Sequence, residues 1–124
     1  MLADLPLIAF VATRDAERSR AFYRDLLGLP LVADEPWALV FQVHGTMLRI
    51  QKAGEFTPHP FTALGWQVDD LRETVRGLIA RGVSPLRYPH LPADDLGVWS
   101  AGDTMVAWFH DPDRNVLSLT QFAR

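Results

Sequence analysis

LIAFVATRDAERSRAFYRDLL, residues 7–27, decides the fold. An apolar run meets an acidic helix start at Asp15, and Phe22, Tyr23, Leu26 and Leu27 then follow helical spacing as far as Gly28. LGWQVDDLRETVRGLIAR, residues 64–81, repeats that order and stops at Gly82. Short apolar runs broken by turn residues come after each helix. A βα unit plus strands, recurring at about 50–60 residues, sets the architecture before any single side chain does. Function is then expected where the two halves face each other.

Working outward, residues 5–12 read as a buried strand with apolar residues on both faces. Asp15 suits an N-cap, because its carboxylate can accept an unpaired backbone N–H at the positive helix end. Gly28 supplies the left-handed residue that stops the helix. Residues 29–33 form a short strand, and residues 37–43 and 46–52 form a hairpin joined at His44-Gly45. Residues 53–62, AGEFTPHPFT, hold two prolines and a glycine and are the expected linker.

The second half opens with a strand over residues 62–68. A helix follows, capped by Asp69 or Asp70, with Leu71, Val75, Leu78 and Ile79 on its inner face. Residues 83–88 read as an edge strand marked by Pro85. Residues 89–97 are an acidic loop, residues 101–103 a turn, residues 104–109 a strand, residues 111–115 (DPDRN) a tight turn and residues 116–122 the last strand. The expected fold is α+β: a single domain of two tandem βαβββ modules, residues 1–52 and 63–124, with mixed sheets and helices outside.

Composition narrows the function classes. At 124 residues the chain can bury a real core, and 48% apolar with 22% charged residues is ordinary for a globular protein. A net charge of -3 and a single lysine, Lys52, give no basic surface, so no nucleic-acid partner is expected. The absence of cysteine excludes disulfides, thiolate metal sites and cysteine nucleophiles. No apolar run reaches the ~18 residues of a membrane span, and no signal peptide is evident. A cytoplasmic protein acting on something small is expected.

Four pieces carry a resemblance: residues 15–23 (DAERSRAFY), 26–29 (LLGL), 66–71 (WQVDDL) and 111–115 (DPDRN). In this order and spacing they resemble the vicinal oxygen chelate superfamily of glyoxalase I, extradiol dioxygenases, fosfomycin-resistance enzymes and bleomycin-resistance proteins. The resemblance covers essentially the whole chain. It implies that the modules curve into a cup around a small ligand, and that the chain forms a homodimer. In metal-dependent members it further implies four ligands, on the first and last strands of each module.

Carried onto this chain, those four places fall on Ile8, Arg49, Ala63 and Ser118. Divalent ions of this kind need imidazole, carboxylate or thiolate donors, and a guanidinium repels a cation. The expectation is no metal and no other cofactor.

If those places face the cup, the period of two along a strand adds Phe10, Met47, Gln51, Gln67 and Thr120 to the same surface. Apolar walls with a few placed polar groups suit a small-molecule site. Arg49 is its sharpest feature: it receives a carboxylate or phosphate, pairs with an internal acid such as Asp34 or Glu35, or reaches solvent at the cup rim. Trp37, Trp99 and Trp108 could wall a flat ligand, or simply pack. His44, His59, His90 and His110 fall in turns or at strand ends without metal spacing and read as loop histidines.

The leading expectation is therefore a metal-independent, bleomycin-resistance-like protein that sequesters a partly aromatic or anionic compound. The rival expectations are a lyase, isomerase or dioxygenase of the same fold, and a regulatory or scaffold module with a filled cup.

Overall fold

Each helix begins where a short acidic side chain can reach back to the helix's first free amides. Asp15 accepts the Arg18 N–H at 3.2 Å, and Asp70, rather than Asp69, accepts the Glu73 N–H at 3.1 Å. In the computed structural model, which describes residues 1–123, these caps head two corresponding units, Met1–Pro58 and a second from His59 onward.

The first unit runs β1 (Ile8–Thr13), α1 (Ala16–Arg20) continuing as a wider π-helical turn (Ala21–Leu26), β2 (Leu31–Asp34), β3 (Ala38–Val43) and β4 (Thr46–Lys52). Sheet order is β1-β4-β3-β2, with β1 parallel to β4 and the other pairs antiparallel. One face of this sheet meets the helix. There Leu39, Phe41, Leu48 and Ile50 are buried, and the fully buried Tyr23 ring lies 6.1 Å from Phe41. Ser19, also fully buried, donates to Thr13 Oγ1 at 2.7 Å, so strand and helix are joined by a dry hydrogen bond. At the opposite edge, on β2, Asp34 accepts Lys52 Nζ at 2.6 Å and pairs with Arg20 of α1. The Lys52 bond holds the Asp34 carboxyl below the usual carboxylate range, against a smaller opposing effect of desolvation.

Two expectations for this half need correction. The strand does not begin at residue 5, and it is not buried on both faces: Leu5 and Leu7 precede it exposed, and Ile8 and Phe10 are 43% and 50% exposed. Only the β1 face carrying Val11 and Thr13 is covered by the helix. The helix also does not stay regular to Leu27. The Leu27 N–H reaches back five residues to Phe22 O at 2.9 Å, one more than an α-turn spans. Leu29 N–H then closes on Tyr23 O at 2.9 Å, over Gly28 at φ 77°. The hairpin turn falls on His44-Gly45, with φ of 48° and 84°, the double left-handed geometry that joins twisted strands.

The second unit runs β5 (Thr62–Gln67), α2 (Leu71–Ala80), β6 (Pro85–Leu86), β7 (Trp99–Ala101), β8 (Thr104–His110) and β9 (Val116–Gln121). Its order is β5-β9-β8-β6, with β7 also antiparallel to β8 and β5 parallel to β9. Leu71 and Val75 of α2 are buried toward β8 and β9, beside Ala107, Phe109, Leu117 and Leu119. The strand expected over residues 83–88 shrinks to Pro85 and Leu86, since proline donates nothing to a ladder and the chain turns back at Tyr88.

The DPDRN turn is built as its residues dictate. Asp111, only 4% exposed, accepts the amides of Asp113 and Asn115, both at 2.9 Å, and Asn115 Nδ2 at 2.8 Å. Arg114 stands at φ 71°, the left-handed position where glycine would be at ease. Both units together give an α+β fold of two mixed sheets from βαβββ-like modules. Among the described residues, no helix is long and apolar enough to cross a membrane.

Candidate functional site

In each sheet the face turned away from the helix carries the candidate residues, and backbone register places them. In the first sheet Phe10 pairs with Arg49, and Arg49 with Val40. Ile8 and Met47 form the row on one side of this pair, and Ala12, Gln51 and Ala38 the row on the other. Residues directly opposite share a face, so Ile8, Phe10, Met47, Arg49 and Gln51 are one surface. Trp37 stands just before β3 and is 74% exposed.

Arg49 donates from Nη2 to Glu35 Oε1 at 2.7 Å, with side chains 23% and 42% exposed. Of the internal acids open to it, it therefore takes Glu35. Asp34 is turned to the helix side, where Lys52 and Arg20 hold it.

In the second sheet Gly65 pairs with Ser118, and Ser118 with Trp108. Gln67, Thr120, Val106 and Trp99 form the adjoining row. Ala63 lies at an irregularity of β5, between Thr62 and Leu64. Ser118 is 7% exposed and faces a close approach: a Cβ on Gly65 would stand 2.6 Å from its Oγ. Any side chain at position 65 would thus have to displace the Ser118 hydroxyl, so space rather than φ favours glycine there.

Aromatic side chains dominate this surface. Trp99 and Trp108 have ring centroids 6.2 Å apart, and Tyr88 meets Trp108 edge-on at 5.1 Å, with His90 5.9 Å beyond Tyr88. Burial pushes the Tyr88 phenol above its ordinary range. His110 shares the face through its pairing with Val116. Burial and, less strongly, the Arg114 charge hold its imidazole below the usual value and favour the neutral ring, against the Asp111 carboxylate, which favours the charged form.

The loop linking Tyr88 to Trp99 is tied down by Asp94. Its carboxylate accepts Leu96 N–H at 2.9 Å, Val98 N–H at 3.0 Å and the Arg72 fork at 3.1 and 2.9 Å. Arg87 adds bonds to the carbonyls of Asp94 and Asp95, both at 2.9 Å. Desolvation raises the Asp94 carboxyl, but the Val98 and Leu96 amides and Arg72 outweigh it and hold it below the carboxylate range.

The amino-acid pattern alone leaves Glu35 one of several possible partners of Arg49, gives no sign of Tyr88, and groups His110 with the loop histidines. The alternation of Val106, Trp108 and His110 along β8 was the available signal for His110. Tyr88 had none, because it lies beyond the short β6 and is placed by the loop.

The metal that the fold implies does not fit these residues. Ile8 and Ala63 offer no donor, Arg49 is a cation held by Glu35, and Ser118 offers one hydroxyl beside Gly65. Among the described residues, no group of three or more His, Asp or Glu side chains gathers to hold an ion.

Comparison with known proteins bears on the fold and the family. No curated protein matches the chain. Among solved structures, TnmS3, an antibiotic binding protein from Streptomyces sp. CB03234, is 26% identical, with a TM-score of 0.73 over 99% of each chain. A glyoxalase/bleomycin resistance protein/dioxygenase from Alicyclobacillus acidocaldarius is 16% identical, with a TM-score of 0.70 over 98% of this chain and 93% of that one. The fosfomycin resistance protein FosX from Listeria monocytogenes is 16% identical, with a TM-score of 0.73 over 99% and 96%. The latter two likenesses concern the fold alone. The family model for this superfamily matches residues 6–119, nearly the whole βαβββ pair, and the chain belongs to the glyoxalase/bleomycin resistance protein/dioxygenase superfamily.

Proposed function

We propose that the chain binds a small, partly aromatic compound without a metal ion, and acts by sequestering it. The observation that carries this reading is the aromatic group Tyr88, Trp99 and Trp108, set on the helix-free face of the second sheet beside Ser118, Thr120 and Gln67. Flat rings stack on such a group, and the hydroxyls and amide supply the few polar contacts that fix orientation. The likeness to an antibiotic binding protein at 26% identity supports the same reading. The donor-poor places Ile8, Arg49, Ala63 and Ser118 support binding over metal-assisted chemistry.

Trp108 reports on this directly. Titration with 2-naphthylmethanol, followed by tryptophan emission, is expected to give saturable quenching that weakens in Trp108→Leu. Saturable binding unchanged by Trp108→Leu and Trp99→Leu would move the ligand elsewhere, and no saturable binding of any flat aromatic probe would end the proposal.

The same reading includes a homodimer. The supporting observation is the run of exposed apolar side chains Leu5, Leu7, Ile8 and Phe10 at the start of the first unit, a surface that a second copy of the chain would cover. Sedimentation velocity is expected to return a species of twice 14.0 kDa, and Phe10→Asp is expected to shift it toward 14.0 kDa.

A further inference from the structure

We infer that Ser118 and His110 form the polar edge of the aromatic group in the second unit, and that together they select a flat ring carrying a hydroxyl. The inference deepens the proposed small-molecule site and rests on that reading.

Ser118 stands apart from the other buried polar side chains. Thr13, Ser19, Asp111, Asp113 and Asn115 each have a partner within the chain. Ser118 is 7% exposed, yet among the described residues no hydrogen bond reaches its Oγ. Buried hydroxyls are ordinarily paired, because losing water without gaining a partner is unfavourable. Among the described residues, no side-chain oxygen that lacks a partner is sealed from solvent, so the Ser118 Oγ keeps an opening. It sits over Gly65, where a Cβ would come within 2.6 Å of it, and opposite Trp108 in the ladder of β8 and β9.

His110 follows Trp108 by two residues on the same face of β8 and pairs with Val116, which places it diagonally across from Ser118. Diagonal neighbours of this kind stand about 7–8 Å apart, which leaves room for one ligand atom between their side chains. Among the described residues, the ring nitrogens of His110 likewise have no hydrogen-bond partner. Burial favours the neutral ring, which carries one N–H and one free lone pair, while the serine hydroxyl both gives and receives. A hydroxyl on a ring stacked at Trp108 gives and receives at a single atom, so it satisfies both groups whichever imidazole nitrogen faces it. An ether oxygen only receives, and leaves one of those arrangements unmet. A site whose buried polar groups are completed by a hydroxyl rejects the analogue without one, because those groups are then left unpaired.

Three probes that share a ring separate the hydroxyl from the stacking: 2-naphthol, 2-methoxynaphthalene and naphthalene. Equilibrium dialysis against the full chain at neutral pH, where 2-naphthol keeps its proton, is expected to rank 2-naphthol above the other two by about tenfold. In Ser118→Ala, and separately in His110→Leu, 2-naphthol is expected to fall by about tenfold while naphthalene stays unchanged. Ser118→Ala should not lower the melting temperature, because its hydroxyl bonds nothing in the chain, so its loss of 2-naphthol reads the contact rather than the fold. A preference for 2-naphthol that survives either substitution would overturn the inference. So would 2-methoxynaphthalene or naphthalene binding the unaltered chain as tightly as 2-naphthol. Both results leave aromatic binding intact. If circular dichroism shows His110→Leu unfolded, Ser118→Ala decides alone. If none of the three probes binds, the aromatic reading fails and the inference falls with it.

Discussion

Phe10–Arg49 in the first sheet and Gly65–Ser118 in the second occupy the same place in the repeat. Phe10 stands five residues before the capping Asp15 and Gly65 five before the capping Asp70, each on a first strand parallel to the last strand of its unit. One pair is a half-exposed ring beside a cation, the other a glycine beside a 7% exposed hydroxyl. The backbone and the caps are held in common, while this face differs as much as side chains allow. The repeat therefore specifies a scaffold, and the two faces were free to take different chemistry, with a paired arginine among apolar side chains on one and a cluster of aromatic rings on the other. The small pair goes with the crowded aromatic sheet, because a side chain at Gly65 would collide with Ser118, whose row continues to Trp108.

The largest effect should come from the turn that only the second unit has in this form. Asp111→Ala leaves two buried backbone amides and the Asn115 side chain without their acceptor, and should cost about 3 kcal/mol. Chemical denaturation measures it, and hydrogen exchange should show the amides of β8 and β9 losing protection before those of β3 and β4. Equal loss in both sheets would mean that the units unfold as one.

Next comes the glycine. Gly65→Val should destabilise by about 2 kcal/mol through overpacking against Ser118, whereas Phe10→Val, on a ring half exposed within its own chain, should cost the isolated subunit less than about 1 kcal/mol. Comparable melting-temperature losses would erase the contrast between the pairs.

The caps test what the halves share. Asp15→Ala and Asp70→Ala should each cost about 1 kcal/mol, with similar shifts in denaturation midpoint, since the two capping bonds have the same geometry.

The smallest effect is a pH dependence confined to the second face. His110 has a folded-state pKa below its unfolded value, so the folded chain binds fewer protons there than the unfolded chain. Its contribution is fully present above the unfolded histidine pKa of about 6.5 and is lost as pH falls through the lower folded value. A stability profile between neutral pH and the onset of carboxylate titration should slope downward on acidification, and His110→Gln should flatten it. A slope unchanged by the substitution would assign it to another group.

Much of the scaffold could be read from single residues. Asp15, Gly28, His44-Gly45 and the DPDRN residues each have one favourable backbone role, so their positions announced helix start, helix stop, hairpin and turn. Strand periodicity placed Arg49 with Phe10, Met47 and Gln51, and Ser118 with Gln67 and Thr120, because a period of two leaves no choice of face once one member is set. What stayed hidden depended on neighbours distant in sequence. The π-helical turn at Ala21–Leu26 has no composition signal, and the exposure of Ile8 and Phe10 reflects what fails to cover them. The meeting of Tyr88 with Trp108 depends on a loop that Asp94 closes through Arg72, 22 residues away.

By itself, then, the sequence determined the doubled βαβββ scaffold, since helix starts, helix stops and turns rest on local geometry and residue chemistry. Only the tertiary structure decided that Arg49 donates to Glu35, that Gly65 lies against the Ser118 hydroxyl, and that three aromatic rings converge on one sheet. Those outcomes are set by distances between side chains far apart along the chain, which composition and spacing do not encode.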